Sequence, residues 1–560
     1  MLRHAPTLTT ALFVGPIAAG LVGTFLPSLG YLPALGGAGF GFAPWRELFA
    51  QPGFATSLRL TLVTGLAATV LSLAVVCLFC AVAQGTPIFR AAQRGLAPVL
   101  AIPHAALAIG FVFLAAPSGW IARVLSPWAT GWERPPDLAT VNDPQGVALI
   151  LGLVLKELPF LLLMTIAALG QVRAAERLAI AATLGYRRPT AWLKCIFPLV
   201  YPQIRMPVYA VLAFSLSTVD VALILGPGNP PPLGPLVVRW LTDREVALYF
   251  PAAAGACLQL LLVVAAVALW RSIEAIVAAG GRRWIVRGAR GGDGPIAAVL
   301  GNLAAIAAAV AVAASIAGLA LWSFAAAWRF PAAMPEDWST ATWRRATGEL
   351  GWPFANTLIA ATAATLVATA LVVACLENEQ RRGLRPGAGA LWLLYAPLLI
   401  PQTAFLFGVQ VVLVRLGLDG TWLAVIWSHL LFVLPYVFLS LADPWRALDR
   451  RYIRAAACLG APPWRVMLGV KVPILLRPVL VAMAVGFAVS VGQYLPTLFA
   501  GAGRVATLTT EAVTLAAGAD RRILATYALA QAALPLVAYA MALVAPAVAF
   551  RNRRGLRVSP

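Results

Sequence analysis

Twelve stretches of this chain are apolar for long enough to cross a lipid bilayer as helices. They lie near 9–28, 58–83, 96–116, 146–170, 206–226 and 247–270, then near 296–324, 354–376, 391–414, 421–442, 475–499 and 525–549. A bilayer core offers the backbone no water. Each stretch must therefore satisfy its own N–H and C=O groups, and a helix does so within the segment. The expectation is an all-α, polytopic membrane protein. Composition agrees, with 61% hydrophobic and only 11% charged residues, too few for a soluble surface of this size. The first apolar run follows Arg3 with no Ala-x-Ala site after it, and reads as a retained first helix.

The net charge of +21 would also suit nucleic acid, but the placement of the charges points to a membrane. With the N-terminus cytoplasmic, roughly two thirds of the Lys and Arg residues fall in cytoplasmic segments, while Asp and Glu lean the other way. The C-terminal "RNRRGLRVSP" also falls inside, as an even number of spans requires. No nucleic-acid partner is expected. The lipid bilayer is, with anionic lipid a secondary possibility.

A basic, glycine-rich linker, "GGRRWIVRGARGGDG" at 280–294, separates the spans into two sixes. The sixes resemble each other. "FATSLRLTL" (54–62) matches "FANTLIAAT" (354–362), and "IPHAALAIG" (102–110) matches "IPQTAFLFG" (400–408). "LPF" at 158–160 matches "LPY" at 434–436. The repeats enter the membrane in the same orientation, so they are related by an axis along its normal. The domain reading is 1–285 and 286–560.

The strongest repeat is a loop. "LGYRRPTAWLKCIFP" (184–198) and "LGAPPWRVMLGVKVP" (459–473) follow the fourth and tenth spans, and both run from Gly to Pro in 13 residues. "AIAATLG" (179–185) and "RAAACLG" (454–460) are helical runs that stop at Gly185 and Gly460, where glycine can reverse the chain. A second helix carrying Trp192 or Trp464 follows, and Pro198 and Pro473 are expected to break it at the membrane edge. The alanine face of the first helix would let another surface approach. Arg173, Arg177, Arg187, Arg188 and Lys194 surround the first copy, and Arg450, Arg451, Arg465 and Lys471 the second. Two such elements on one face call for a two-fold, acidic-rimmed partner.

These loops, over 173–198 and 449–473, resemble the "EAA" coupling loops of ABC importer permeases: Glu-Ala-Ala, three residues, Gly, nine residues, Ile, one residue, Leu-Pro. Ala181, Gly185 and Pro198 match in the first copy, and Ala455, Ala456, Gly460 and Pro473 in the second. The glutamate position holds Ala179 and Arg454. The Ile and Leu positions hold Cys195 and Phe197, then Val470 and Val472. Glu176, a turn upstream, is a stand-in for the first glutamate or a solvated surface residue. The resemblance covers both halves and implies a type I importer permease. It is similar to the fused iron(III) and thiamine permeases of bacterial inner membranes, with both termini cytoplasmic. It also implies two separate ATP-binding cassette subunits and a periplasmic solute-binding protein. ATP would be used by those subunits, with no cofactor bound by this chain. The sequence agrees, since it has no G-x-x-x-x-G-K-[ST] and its three lysines, Lys156, Lys194 and Lys471, never follow glycine.

Polar residues inside spans mark candidate pathway positions. Asp220 in "STVDVALILG" faces the pathway or makes an interhelical hydrogen bond, and Gln493 in "SVGQYLPTLF" is its counterpart. An acidic pathway would favour a cationic solute. Lys156 and Glu157 are adjacent and so point about 100° apart on a helix, which makes them no simple pair. They serve substrate, packing or a hinge. His104 and Gln402 follow the matched Pro103 and Pro401 and read as pathway residues or interior hydrogen-bond partners. Cys77 and Cys80 read as small apolar side chains, and the three histidines form no metal cluster. The outer loops, 117–145 and 325–353, seat a binding protein or anchor Trp side chains at the interface. No nucleophile–base constellation indicates an enzyme. The expected function is therefore the solute pathway of an importer, and the alternative is a twelve-span carrier driven by an ion gradient. Such a carrier would have no use for twin docking loops.

Overall fold

The structure is a computed structural model and describes residues 2–291, 295–384, 387–518 and 520–551. The end of the 280–294 linker and the basic C-terminus beyond Arg551 lie outside the described residues. Ten helices are long and apolar enough to cross a membrane, and two bent helix pairs bring the spans to twelve among the described residues. The chain is an all-α polytopic protein.

The even-numbered spans are mostly single helices: Phe54–Ala83, Val147–Gln171, Tyr249–Val286, Ala341–Arg382, Trp422–Arg446 and Arg521–Ala549. The sixth runs well past its expected end near 270. The segment "RSIEAIVAAGGRRWIV" contains no proline to stop it, and the helix runs through its two glycines.

The third and ninth spans break at the matched prolines. Pro87–Ala101 gives way to His104–Ala115, and Trp392–Leu399 meets Gln402–Arg415 at 93°. A residue before proline is driven out of the helical region. Ile102 and Ile400 accordingly sit at φ/ψ of −67°/125° and −85°/124°.

The fifth and eleventh spans correct one expectation. Pro198 does not break its helix, for Arg188–Ser217 crosses as one span. A π-helical turn at Trp192–Ile196 precedes it, with the Phe197 N–H bonded back to the Trp192 carbonyl. The wider turn absorbs the N–H that proline lacks. The second copy has the same π-helical turn, at Met467–Lys471. There the helix does bend, by 77°, between Ile474 and Leu476. Pro478 stands four residues after Ile474 and cannot donate to its carbonyl, which places the bend beyond Pro473.

The two sixes exchange their first helices. Ala5–Ser28 packs on Gln402–Arg415, and Pro295–Phe324 packs on His104–Ala115. The glycines that end the matched third-span motifs make both crossings possible. A Cβ on Gly110 would lie 2.7 Å from the Ser315 carbonyl oxygen, and one on Gly408 would collide with the Gly20 carbonyl. Thr24 Oγ1 also accepts a hydrogen bond from the Gly408 N–H at 3.1 Å.

Away from the Gly–Pro loops, Arg123 joins the segments 117–145 and 325–353. It is buried, donates to the carbonyls of Arg329 (2.8 Å), Ala332 (3.2 Å) and Trp328 (3.3 Å), and stacks on the Trp328 ring. A short antiparallel pair, Ala325–Ala327 with Asp337–Trp338, completes this shelf, which leaves Trp128 and Trp338 exposed.

Candidate functional site

Each Gly–Pro loop is a helical hairpin, and the two share one backbone design. Ala174–Thr183 ends at Gly185 (φ +79°), and Arg450–Cys458 ends at Gly460 (φ +77°). In the first, the N–H groups of Gly185 and Tyr186 donate to the carbonyls of Ala182 and Ala181, both at 3.0 Å. In the second, those of Gly460 and Ala461 donate to Ala457 (2.9 Å) and Ala456 (3.0 Å). This pair of bonds is the Schellman closure, which needs a left-handed residue just past the helix. A short helix, Arg188–Ala191 or Pro463–Val466, then leads into the π-helical turn.

The alanines divide between two surfaces. Ala181 turns inward and is buried, whereas Ala179 and Ala182 are exposed. In the second hairpin Ala455 is exposed and Ala456 half-buried. Leu184 and Leu459, just before the glycines, project into solvent with 58% and 88% exposure. Glu176 is exposed and 3.8 Å from Arg173, and Arg454 in the second glutamate position is also exposed.

Each hairpin is anchored by a buried lysine, and the anchors differ. Lys194 Nζ donates to the Ala289 carbonyl at 2.7 Å and sits over the rings of Trp284 (4.6 Å) and Tyr186 (5.4 Å). Lys471 Nζ lies 2.5 Å from Glu377 Oε2 and 2.6 Å from Gln380 Oε1. Both partners stand at the end of the eighth span. Glu377 also receives Arg381 at 2.7 Å, and Arg446 reaches Glu379 at 2.7 Å.

The polar residues inside the spans gather at the helix breaks. Asp220 starts the short helix Asp220–Leu225 after the fifth span breaks, with Thr218 Oγ1 donating to it at 3.4 Å. Gln493 lies in the matching break of the eleventh span and donates to the Val489 carbonyl at 3.2 Å. Lys156 Nζ caps the third-span break, donating to the carbonyls of Leu100 (3.3 Å) and Ile102 (2.5 Å). Its ammonium satisfies backbone groups that Pro103 leaves open. His104 packs its ring on Phe214 at 4.8 Å. Glu157, the next residue along the helix, is buried as well. The breaks thus gather these polar side chains: Lys156 at that of the third span, Asp220 and Gln493 at those of the fifth and eleventh.

Two polar pins escaped the sequence reading. His429 is buried between Ser490 Oγ (2.7 Å) and Thr497 Oγ1 (2.8 Å), so one side chain holds both sides of the eleventh-span break. Gln259 donates to the Leu216 carbonyl at 3.3 Å and accepts from Thr403 Oγ1 at 2.6 Å, linking the sixth span to the ninth. A lone His or Gln in an apolar run gives only one weak signal, its cost in the bilayer unless it is partnered.

No protein-family model matches the chain. It is 35% identical over 521 residues to the inner membrane ABC transporter permease protein YnjC of Escherichia coli (strain K12), covering 92% of each chain. It is also 33% identical over 156 residues to the molybdenum transport system permease protein ModB of Mycobacterium bovis, covering 26% of this chain and 57% of that one. ModB of Mycobacterium tuberculosis matches to the same extent.

Proposed function

The chain belongs to the membrane permeases of ABC transporters, and from that premise we propose that it forms the whole solute pathway of a bacterial importer. In this reading it is a fused permease, with 1–285 and 286–560 as its two domains and both termini in the cytoplasm. The hairpins at 173–198 and 449–473 dock two separate ATP-binding cassette subunits. A periplasmic solute-binding protein delivers a small solute to the outer shelf tied by Arg123. ATP is bound and hydrolysed by the partner subunits.

The observation that carries the reading is the matched hairpin pair. Two Schellman-closed turns with exposed Leu184 and Leu459 follow the fourth and tenth spans, so an even number of crossings puts both at one end of the bundle. Alternating access needs a two-state element that ATP biases. The hairpins are suited to carry closure of an ATPase dimer into the fifth and eleventh spans, which they enter directly. The bends at Ile102, Thr218, Ile400 and Leu475 are places where those movements would be absorbed. His104, Asp220, Glu157 and Gln493 are the side chains proposed to face the solute, with Lys156 holding the third-span break. Asp220 favours a cationic solute.

The test replaces both hairpin glycines. Gly185→Trp with Gly460→Trp places bulk at two left-handed positions beside the docking tips. ATPase subunits should no longer co-purify, with membrane insertion intact. Normal uptake by that double variant would overturn the docking role. Co-purification of the unaltered complex in mild detergent, followed by mass spectrometry, should show two ATPase subunits per chain. A chain that comes down alone and drives uptake with an ion gradient would favour a carrier.

A further inference from the structure

The two hairpins are alike in backbone but not in what lies against them. The sixth span is 38 residues long, whereas about 20 suffice to cross the hydrocarbon core. Its last turns therefore leave the membrane, and residues 284–291, the last of the helix and the non-helical chain after Val286, form a strap along the first hairpin. The Arg187 N–H donates to the Arg290 carbonyl at 3.3 Å, and Tyr186 Oη donates to the Gly288 carbonyl at 3.4 Å. Lys194 binds the Ala289 carbonyl and is covered by Trp284. Gly291, at φ +78°, packs so tightly that a Cβ there would strike Thr190. The second hairpin has open space where a Gly460 Cβ would stand, and its lysine turns inward to Glu377 instead.

The strap does not cover the docking tip. Leu184 stays exposed. The Arg290 side chain, however, would lie 3.4 Å from a Cβ on Gly185, the residue next to Leu184. Arg290 thus stands beside the turn that carries Leu184, within reach of a surface seated on that turn. Arg282, Arg283, Arg287 and Arg290 are all exposed, and 280–291 contains no acidic residue.

We infer that the 284–291 strap is part of the seat of one ATPase subunit, meeting carboxylates of that subunit through Arg287 and Arg290, so that the two seats on this chain are unequal. The inference rests on the docking role proposed above. One seat is a hairpin and strap together, and the other is a bare hairpin. Identical ATPase subunits would then bind with different salt dependence, because more charge contacts make binding steeper in salt.

The experiment places the photo-crosslinking residue p-benzoylphenylalanine at position 184, 287 or 290 in the complex isolated from its native membranes. The expected result is one ATPase subunit captured from each position. Capture from 184 with none from 287 or 290, or with lipid alone captured there, would overturn the composite seat and leave docking intact. No capture from any of the three would overturn both. A second measurement guards against a poorly placed crosslinker. Arg287→Glu with Arg290→Glu should lower the ATPase count in native mass spectrometry from two to one at a salt concentration where the unaltered chain keeps two. An unchanged count and salt profile would also overturn the inference.

Discussion

The first and second hairpins show how one backbone motif is fastened in two ways. Both close with the same hydrogen bonds around a left-handed glycine, and both place a buried lysine near the following π-helical turn. In the first, Lys194 is held by the Ala289 carbonyl of the strap, the Trp284 ring at the end of the sixth span and the Tyr186 ring of the hairpin itself. In the second, Lys471 is held by the Glu377 carboxylate at the end of a 42-residue helix. A carbonyl and the Trp284 ring can be shed together with the strap, at no cost in unpaired carboxylate. A buried ion pair can be shed only by exposing or neutralising two charges. The second hairpin is therefore the firmer anchor, and the first is the one tied to the linker between the halves.

The largest expected effect comes from the ion pair. Lys471→Met removes the buried partner of Glu377 and leaves it only the half-exposed Arg381, which costs up to about 3–5 kcal/mol. The variant should melt well below the unaltered chain in a thermal size-exclusion assay. Adding Glu377→Gln should recover much of that loss. If Lys471→Met melts normally, the proposed difference between the anchors is wrong.

A smaller effect is expected at the other lysine. Lys194→Met removes one charge-assisted hydrogen bond and the ring contacts, about 2–3 kcal/mol in all. Much of it should appear as local release of the strap. Limited trypsin digestion should cut at Arg287 and Arg290 several times faster than in the unaltered chain, with a smaller shift in melting than for Lys471→Met. Equal melting shifts for the two variants would erase the contrast.

The smallest effect sharpens the comparison. Gly185→Ala and Gly460→Ala each force an L-residue into the left-handed region, at about 1–2 kcal/mol. The two costs should be close, because the Arg290 side chain stands at ordinary contact distance from the new methyl group at 185 and Gly460 faces open space; a clear excess at 185 would show that the strap presses on the turn. Hydrogen exchange at Tyr186 and Ala461, whose N–H groups close the turns, would report the two costs separately.

Much of the fold was legible in the chain itself. Apolar length located the spans, and matched motifs such as "IPHAALAIG" and "IPQTAFLFG" paired the halves. The same motifs announced the breaks at Ile102 and Ile400, since proline acts on the residue before it. Local rules went astray at Pro198, where they predicted a break. The π-helical turn there is a choice among backbone hydrogen bonds that depends on what the helix packs against. The hairpin glycines could be read directly, because a helix that stops and reverses needs a left-handed residue.

Length, hydropathy and the spacing of Gly and Pro are local or periodic properties, so the sequence determined the helical membrane class, the number of spans and the two hairpins. It also located the polar positions His104, Glu157, Asp220 and Gln493. Only tertiary structure decided who meets whom. It set the first span on the ninth and the seventh on the third, put Lys156 on the carbonyls of a broken helix, pinned His429 between two hydroxyls, and gave Lys194 and Lys471 different partners. Those contacts join residues 54 to 95 positions apart, and the helix exchange joins residues much further apart. A buried polar group in a bilayer must find a partner, but local sequence does not say which distant one the packing will bring.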